Sequence, residues 1–368
     1  MKYYIIAGEA SGDLHAGNLM KAMRTKDASV EFRFWGGDHM TEVAGAPVKH
    51  IKELAFMGFV EVVANLRTIL GNIKFCKKDI LAYKPDALIL VDYPGFNLRI
   101  AQWAKTQGIK VFYYISPQVW AWKQKRVHKI KKVVDQMFVI LPFEQAFYAK
   151  FGMEVEFVGH PLLDAIDNYQ AQLENVDLRE KHQLDQRPII ALLPGSRIQE
   201  VKKKLPIMLN SIVDREKYQL IIAGAPSLEV DFYNQFTDGQ SNIRIIHGAT
   251  YDILSLATAA LVTSGTATLE TALFRVPQVV CYKGSPISYA IAKQLVKIDF
   301  ISLVNLILDR EAVKELIQSE CNEQNIQHEL ELILPEGKKR AKILADYDKL
   351  IELLGKGGAS DRVAELIL

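Results

Sequence analysis

Residues 3–18 have the sequence YYIIAGEASGDLHAGN, and the order of residue types in this stretch indicates the fold. The first four residues are β-branched or aromatic, which favours a strand. The glycine-containing loop AGEASGD follows, and apolar residues at helical spacing resume at Leu14. A strand, a short glycine loop and a helix in this order are typical of a parallel α/β unit. Such loops commonly bind phosphate, yet this one contains the carboxylates Glu9 and Asp13 and no lysine.

Apolar runs and amphipathic stretches alternate through the rest of the chain in two successive series. The predicted strands are KYYIIA, EFRFWG, ALILVD, KVFYYI and QMFVI in the first series, and PIIALLP, YQLIIAG, IRIIH, AALVTS and PQVVCY in the second. We therefore predict an α/β protein with two facing Rossmann-like domains and a cleft at the carboxyl ends of both sets of strands. The expected boundaries are residues 1–165, residues 166–340, and C-terminal helices over residues 341–368 that pack on a domain or on a partner protomer.

Composition narrows the class of protein. The 368 residues are 49% apolar and 24% charged with a formal net charge of +2, which is typical of a globular protein without a general affinity for polyanions. No apolar run reaches the ~18 residues that a membrane-spanning helix needs, and the N-terminus lacks the pattern of a secretory signal. The cysteines lie far apart in the sequence, so they predict no disulfide framework. The histidines do not occur in pairs at the spacing of metal ligands, so the sequence predicts no zinc site. We expect a protein of the reducing cytosol that uses no metal and no cofactor.

The clearest candidate site follows the strand that ends at Val262, in the sequence TSGTATLETALFRVPQVVCY. A helix N-terminus with hydroxyl side chains binds a diphosphate well, and a carboxylate one turn later can accept hydrogen bonds from both hydroxyls of a ribose. The alternative is an ordinary helix N-cap with a glutamate in the first turn. The candidate residues are Ser264, Gly265, Thr266, Thr268 and Glu270.

A second candidate site lies in LLPGSRIQEVKKKLP, where a predicted strand ends before Gly195, Ser196 and Arg197. Arg197 can clamp a leaving diphosphate, because a guanidinium forms paired hydrogen bonds with phosphate oxygens. The alternative is an exposed loop arginine. Neither loop has the GxxxxGK[ST] pattern of nucleotide hydrolases, and the GxGxxG dinucleotide pattern is absent from the sequence.

A third candidate is Asp92, which ends the apolar strand in ALILVDYPGFNLRIA. A carboxylate at a strand end is placed for general-base catalysis, and partial burial would raise its pKa towards the working range. The alternative is a turn aspartate that caps the next segment.

Two further stretches combine apolar or aromatic residues with cations. Residues 57–75 form a broad apolar face with basic flanks, which fits a helix lying on an anionic membrane, and the alternative is a buried core helix. The basic stretch 123–132 follows two tryptophans in QVWAWKQKRVHKIKK. It fits a phosphate-bearing lipid surface or a nucleic acid, and the alternative is a solvated helix face.

Together these segments resemble the lipid-A-disaccharide synthase family, glycosyltransferases with two Rossmann-like domains of the GT-B type. The resemblance covers nearly the whole chain and depends on AGEASGD, VDYPGFN, YYISPQVWAWKQKR, LPFEQAFY, FVGHPLLD, LPGSRIQE, TSGTATLETAL and SLVNLILDREAVKEL, in this order. It implies transfer of a 2,3-diacylglucosamine from its UDP derivative to the C6 hydroxyl of 2,3-diacylglucosamine 1-phosphate, with inversion and without a metal. The products would be lipid A disaccharide 1-phosphate and UDP.

The resemblance also implies roles for individual residues. Asp92 would be catalytic on the acceptor side, with Glu9 and Ser11 beside it, where carboxylates suit sugar hydroxyls. Lys283 and Asn305 would join the donor-binding residues named above. The chain departs from the usual family pattern at three positions that flank the matched residues, and these leave its acyl-chain and acceptor preference open: Gly95, Gln118 and Val304.

The implied partners are the UDP-diacylglucosamine donor, the diacylglucosamine 1-phosphate acceptor and an anionic membrane surface, with no nucleic acid. The implied location is cytoplasmic, peripheral on the inner face of the inner membrane. The sequence leaves a homodimer open. Two rival functions remain at this point: a UDP-sugar epimerase on the same fold, and a non-enzymatic protein that docks on a membrane or on RNA.

Overall fold

The computed structural model describes residues 1–54, 66–173, 176–237, 240, 242–286, 289, 293–294, 296 and 298–368. The described chain divides into two compact units. Unit 1 contains Met1–Asp164 and Lys356–Leu368, and unit 2 contains Ala165–Gly355. No helix among the described residues is long and apolar enough to cross a membrane.

Unit 1 is built on a parallel sheet with helices between its strands. The strands are β1 (Lys2–Ala7), β2 (Glu31–Gly36), β3 (Lys49–His50), β4 (Ala87–Val91), β5 (Lys110–Tyr114), β6 (Gln136–Val139) and β7 (Glu156–Phe157). The helices are α1 (Ala10–Lys26), α2 (Asp38–Ala44), α3 (Leu66–Tyr83), α4 (Pro94–Thr106), α5 (Val119–Trp122), α6 (Val127–Val133), α7 (Phe143–Ala149) and α8 (Pro161–Gln172), which continues into unit 2. Among the described residues, short 3₁₀ helices span Ile51–Glu53 and Gln124–Arg126.

Unit 2 repeats this plan. Its strands are β8 (Ile189–Leu193), β9 (Gln219–Gly224), β10 (Ile243–His247), β11 (Ala257–Thr263), β12 (Gln278–Tyr282) and β13 (Lys314–Ile317). Its described helices are α9 (Leu178–Lys181), α10 (Ile198–Asn210), α11 (Val230–Thr237), α12 (Thr250–Leu256), α13 (Thr266–Leu273), α14 (Leu303–Leu308), α15 (Glu323–Ile333) and α16 (Arg340–Leu354).

Both sheets have the strand order of a Rossmann fold. In unit 1 the order is β3-β2-β1-β4-β5-β6-β7, and in unit 2 it is β10-β9-β8-β11-β12-β13. Each order reverses between the first and fourth strand of its unit, so the crossover helices of the two halves leave in opposite directions there. The prediction of two successive parallel α/β sheets is therefore confirmed.

The central strands are apolar along their whole length because helices cover both faces of each sheet. All five residues of β4 are buried, and so are all five residues of β8. Three strands at the sheet edges were not among the predicted ones: β3, β7 and β13. Each has only two to four residues, too few for a clear alternation of apolar and polar side chains.

The C-terminal helices separate after Gly355. Helix α16 packs on α13 and α14 within unit 2. The last helix, α17 (Ala359–Ile367), belongs to unit 1 and packs along α1. Arg362 Nε donates to the carbonyl of Val158 at 2.8 Å, which fixes α17 to the end of the first sheet.

Candidate active site

Within each unit, the strand-order reversal places two of the polar loops that the sequence singled out next to each other. In unit 1, β1 and β4 are paired with Ala7 opposite Val91, so the Glu9 loop and Asp92 leave the sheet side by side. In unit 2, β8 and β11 are paired, so the loops beginning at Pro194 and Ser264 also leave side by side. Ligands of open parallel sheets bind at the carboxyl ends of strands, at such a reversal.

The Glu9 loop fits closely against Tyr93. A Cβ atom added at Gly8 would lie 2.3 Å from Cδ1 of Tyr93, so only glycine leaves room for this ring. Glu9 is the exposed N-cap residue of α1, and Ser11 is exposed in the first turn of the same helix. Both predicted residues are therefore open to solvent beside the end of β4.

Asp13, the second carboxylate of this loop, binds the N-terminus of α2. Its carboxylate accepts hydrogen bonds from the backbone N–H groups of Gly37 at 2.6 Å, His39 at 3.0 Å and Met40 at 3.2 Å. These are the first amides of α2, whose N-terminus attracts a negative charge. Asp13 is 2% exposed, so it connects α1 to α2 and does not face a sugar.

Asp92 lies at the end of β4 in a sharp turn of the backbone. Asp92 and Tyr93 both have left-handed backbone torsions, with φ of 44° and 46°. The Asp92 amide donates to Tyr114 O at 3.0 Å, and its carbonyl accepts from Tyr113 Oη at 2.6 Å and from Asn97 Nδ2 at 2.8 Å. Both backbone groups of Asp92, its amide and its carbonyl, are therefore held by hydrogen bonds to neighbouring elements.

The environment of the Asp92 side chain favours the protonated carboxyl. Burial raises the pKa of Asp92 to about 7, the negative charge of Glu9 adds to this rise, and a hydrogen bond from the Tyr93 amide opposes it. Among the described residues no cation forms an ion pair with Asp92. A carboxyl with this pKa can exchange a proton near neutral pH.

In unit 2 the loop after β8 is shaped by Glu200. Gly195 has φ of 114°, and a Cβ atom there would lie 2.3 Å from Oε2 of Glu200. Glu200 also lies 3.6 Å from Nη1 of Arg197, which is the N-cap residue of α10 and is 65% exposed. Ser196, which lies between Gly195 and Arg197 in the sequence, is exposed. This loop thus presents a guanidinium and a helix N-terminus together.

The loop after β11 ends at the N-terminus of α13. Ser264 Oγ donates to Ile301 O at 2.8 Å, and Thr268 Oγ1 donates to Gly265 O at 2.8 Å. Thr268 is fully buried, so it stabilises the first turn instead of facing a ligand. Gly265 and Thr266 are exposed, and the first amides of a helix have no partner within it.

Glu270 lies one turn further along α13. Burial raises the pKa of Glu270, and the hydroxyl of Tyr251 donates to Oε1 of Glu270 at 3.2 Å. The Tyr251 ring packs edge-on against Tyr169 and lies tilted against Phe274, with centroids 5.3 Å and 5.1 Å away. Tyr251 was not among the predicted site residues, because a single tyrosine in HGATYDILS has no distinctive spacing.

Lys283 and Asn305 differ in how much of each side chain is available. Lys283 Nζ donates to Cys321 O at 3.3 Å and is half-buried, so its other N–H groups remain for a ligand. Asn305 is fully buried: its Nδ2 donates to Val313 O and to Glu315 Oε1, and its Oδ1 accepts from the amides of Ala312 and Val313. In this structure the Asn305 side chain, which lies within α14, holds the segment that follows this helix and has no capacity left for the donor.

The structure also shows a buried polar cluster beside the first reversal that the sequence did not single out. Glu144 is 1% exposed and accepts hydrogen bonds from Ser116 Oγ and from the Leu141 amide. Burial raises the pKa of Glu144 to about 7. Tyr148 Oη donates to Ser116 Oγ at 3.3 Å. The only sequence sign was an acid inside the apolar stretch LPFEQAFY.

The predicted membrane segment is described only in part, because residues 57–65 and the side chain of Leu66 lie outside the described residues. Further along α3, Leu70 is 53% exposed and Phe75 is 48% exposed. A groove of about 510 Å³ between α3 and α4 is lined by Leu70, Ile73, Lys77, Arg99, Gln102, Trp103 and Thr106. Its lining contains two cations and no carboxylate.

The basic stretch 123–132 follows an exposed aromatic side chain. Trp122 is 45% exposed, and Lys123 Nζ lies 3.8 Å from the centre of its ring. The lysines of α6 lie on its exposed side, while Val127, Ile130 and Val133 are buried. Among the described residues no group of three His, Cys, Asp or Glu side chains is arranged to hold a metal ion.

Comparison with known proteins links this geometry to a family. A family profile described as "Lipid-A-disaccharide synthetase" matches residues 3–367. The lipid-A-disaccharide synthase of Syntrophus aciditrophicus is 41% identical over 371 residues, covering 99% of this chain and 96% of that protein. The enzyme of the same name from Geobacter metallireducens is 39% identical, with 99% and 96% coverage. The one from Coxiella burnetii is 36% identical, with the same coverage.

Solved structures with a similar fold have much lower sequence identity. The UDP-GlcNAc 2-epimerase from Neisseria meningitidis matches with a TM-score of 0.67 at 13% identity, covering 100% of this chain and 99% of its own. A structure described as the glycotransferase of kitacinnamycin matches with a TM-score of 0.66 at 11% identity, covering 100% and 98%. At such identities the likeness concerns the fold alone.

Proposed function

The chain belongs to the lipid-A-disaccharide synthase family of glycosyltransferases, and from this premise we propose its reaction. It transfers a 2,3-diacylglucosamine from UDP to the C6 hydroxyl of 2,3-diacylglucosamine 1-phosphate. The bond between the donor C1 and the UDP oxygen breaks, and a bond from C1 to the acceptor O6 forms with inversion. The proton of the hydroxyl goes to a base, and UDP leaves with the electron pair.

Asp92 is the proposed base, and its environment is the observation that supports the mechanism most. Its pKa of about 7 means that a substantial fraction is ionised at neutral pH, yet the group remains basic enough to take a proton from a hydroxyl. Glu9 and Ser11 are exposed beside it and are suited to accept hydrogen bonds from the hydroxyls of the acceptor sugar.

Departure of UDP requires positive potential at the diphosphate. We assign this role to Arg197 with Gly195 and Ser196, and to the amides of Gly265 and Thr266 at the N-terminus of α13. Ser264 and Thr268 hold that N-terminus in shape through their hydrogen bonds. Because these groups come from the chain itself, excess chelator should leave the rate unchanged, and a chelator-sensitive rate would contradict this part of the proposal.

The remaining donor residues bind the nucleoside or support the site. Glu270 accepts hydrogen bonds from the ribose hydroxyls in its ionised form, with Tyr251 fixing its orientation. Lys283 adds a cation at the end of β12, which is paired with β11. Asn305 acts indirectly: it donates to Glu315, whose carboxylate accepts from the amides of Ile301 and Ser302, and the Ile301 carbonyl accepts from Ser264.

The epimerase alternative has support only from the fold. The relatives at 35–41% identity are named lipid-A-disaccharide synthase, whereas the epimerases are 13–14% identical. An epimerase would convert the UDP-sugar alone, without an acceptor. The two functions therefore differ in whether product formation requires the second substrate.

We also propose that the protein acts from the cytoplasm on the inner face of the inner membrane, because both substrates have acyl chains. The apolar groove between α3 and α4 has Lys77 and Arg99 in its lining, and the exposed Trp122 lies beside the cations of residues 123–132. Apolar side chains flanked by cations favour an anionic lipid surface over nucleic acid. Measurement of the mass in solution tests whether the protein forms a homodimer.

The decisive experiment incubates the protein with UDP-diacylglucosamine and diacylglucosamine 1-phosphate and follows UDP release and disaccharide formation by mass spectrometry. We expect both products in equal amounts, and none without the acceptor. Asp92→Asn should lower turnover by about 10²–10⁴-fold with UDP binding retained, because it removes the base alone. Asp86→Asn, at the other end of β4, is the matched control and should behave as wild type. Near-wild-type turnover of Asp92→Asn would rule out this base.

A further inference from the structure

We propose that Tyr113 and Asn97 are positioning residues for the transfer reaction, because both hold the backbone carbonyl of Asp92 and thereby fix its carboxylate. The inference depends on the proposed function, since it assumes that Asp92 removes the acceptor proton. Neither residue is assigned a contact with substrate.

The first step concerns backbone strain. Asp92 and Tyr93 are consecutive residues with φ of 44° and 46°, a region that glycine adopts readily and that tyrosine rarely adopts. Such a residue is strained and persists only where the surroundings enforce its conformation. Two in succession at the end of a central strand indicate that the conformation has a use other than stability.

The second step identifies what enforces the conformation. The carbonyl of Asp92 accepts two hydrogen bonds, from Tyr113 Oη at 2.6 Å and from Asn97 Nδ2 at 2.8 Å. Asn97 Nδ2 also lies 3.2 Å from Val91 O and 3.3 Å from Ile6 O. The peptide group after Asp92 is thus held by β5 on one side and by α4 on the other, and the same amide reaches the end of β1.

The third step concerns the permanence of these bonds. Tyr113 and Asn97 are both fully buried, so the two groups that donate to the carbonyl are themselves shielded from water. Burial, with the charge of Asp92 adding to it, raises the pKa of Tyr113 well above its ordinary value. The hydroxyl of Tyr113 therefore stays protonated, and able to donate, over the whole range in which an enzyme of this kind is assayed.

The fourth step connects the backbone to the proton transfer. The titratable side chain that acts on Asp92 is Glu9, the N-cap residue of α1, while the neighbouring Tyr93 acts only through its backbone amide. The charge of Asp92 in turn raises the pKa of Tyr113 from β5. If the carbonyl is released, the turn relaxes, the carboxylate reaches water and moves away from Glu9. Both changes remove causes of the high pKa of Asp92, so its pKa should fall towards the ordinary range.

The test is Tyr113→Phe, which removes one hydroxyl and keeps the ring. We expect kcat to fall about tenfold, KM for both substrates to stay within twofold, and the acid limb of the pH–rate profile to move to lower pH. The matched control is Tyr114→Phe, because Tyr114 is the next residue of the same strand, is equally buried, and packs in the core on the other face of the sheet. That variant should keep the wild-type profile.

A double-mutant cycle shows whether Tyr113 acts through Asp92. In the Asp92→Asn background, Tyr113→Phe should have no further effect on the residual rate, because the group that it positions is gone. An equal loss in both backgrounds, or an unshifted pH profile, would overturn the inference. If Tyr113→Phe does not fold, Asn97→Ala gives the same test with the same expected outcomes. Full activity of the single variant Asp92→Asn would instead refute the proposed role of Asp92 as the base. That result is independent of any Tyr113 variant.

Discussion

Asp92 is a single residue whose ionisation opposes folding. Its pKa is about 7 in the folded chain against an ordinary value of 3.8, so the folded protein holds a proton that the unfolded chain has already lost. The stability gained from the protonated form is complete below the ordinary pKa and is lost as the pH rises to about 7. Asp92→Asn removes this dependence, and its stability should therefore exceed that of wild type most clearly above pH 7.

Thermal unfolding of wild type and of Asp92→Asn between pH 5 and pH 8 measures this difference in stability. The melting temperature of Asp92→Asn minus that of wild type should increase from pH 5 to about pH 7 and level off above it. Asp348→Asn is a useful comparison, because it removes an exposed carboxylate paired with Arg275, whose proximity lowers the pKa of Asp348. That variant should show no stabilisation that increases with pH. A constant difference for Asp92→Asn would mean that the folded site does not raise the pKa of Asp92.

Arg197 and Glu270 allow a second residue-scale prediction, since they are proposed to bind different parts of UDP. Arg197→Ala should weaken UDP binding about tenfold and leave uridine binding nearly unchanged, because charge-assisted bonds to the diphosphate are lost. Glu270→Gln should weaken both ligands. Isothermal calorimetry with UDP and uridine separates the two, with Lys203→Ala on the exposed side of α10 as control. An equal loss of both ligands in Arg197→Ala would exclude the diphosphate role.

Single residues also show where sequence reasoning reaches its limit. The strand end before Asp92 and the loop containing Glu9 followed from local pattern, and the structure puts them side by side. The capping of α2 by Asp13 and the enclosure of Asn305 by Val313 and Glu315 did not follow. Their partners come from other elements, and the period of a strand or helix contains no information about them.

The sequence predicted the buried central strands more clearly than the short strands at the sheet edges. Strands such as β4 and β8 consist of apolar residues along their whole length, because helices cover both faces of the sheet. Their composition therefore predicts a buried strand directly. The edge strands β3 and β7 have two residues each and pair along one side only. Such short strands form because they pair with one neighbouring strand, and the local sequence pattern does not reveal this pairing.

Helix α3 is the element with the most direct test of membrane binding. Leu70 and Trp103 line the groove between α3 and α4, and Lys77 Nζ lies 5.6 Å from the ring centre of Trp103. Leu70→Ser combined with Trp103→Ser should reduce cosedimentation with anionic liposomes severalfold, and added salt should weaken wild-type binding through screening. KM for the lipid substrates should rise.

The control for this element is Leu353→Ser, which changes a leucine of α16 that is 45% exposed in unit 2. It should bind liposomes as wild type does. If the α3 and α4 variant instead loses several kcal/mol of stability, as core truncations do, the groove is part of the core. Unchanged liposome binding in a folded variant would exclude the groove as a lipid contact.

At the scale of the whole molecule, the repeated strand order explains why the candidate residues fall into two groups. Each unit has one reversal, and the acceptor candidates follow β1 and β4 while the donor candidates follow β8, β11 and β12. The alternating pattern of the sequence predicted two such sheets. It did not predict that the last helix would return to unit 1, because α17 is amphipathic and fits any apolar surface of the right width.

The return of α17 gives a prediction about how the two units unfold. Val363, Ala364 and Ile367 of α17 are buried in the core of unit 1 together with residues of α1 and β1. Val363→Ser combined with Ile367→Ser should destabilise unit 1 by several kcal/mol, since both changes remove buried apolar surface. Leu366→Ser, at a position that is 44% exposed, should change stability by only about 0.5 kcal/mol or less.

Calorimetric unfolding with limited proteolysis distinguishes the units in this experiment. In the double variant, we expect early cleavage within residues 1–164 while residues 165–355 stay protected. UDP binding should persist, because every proposed donor residue lies in unit 2, whereas disaccharide formation should fail once Asp92 and its surroundings unfold. If the double variant and Leu366→Ser unfold at the same temperature, α17 contributes no stability to unit 1. If UDP binding is lost at the temperature where unit 1 unfolds, the donor site is not formed by unit 2 alone.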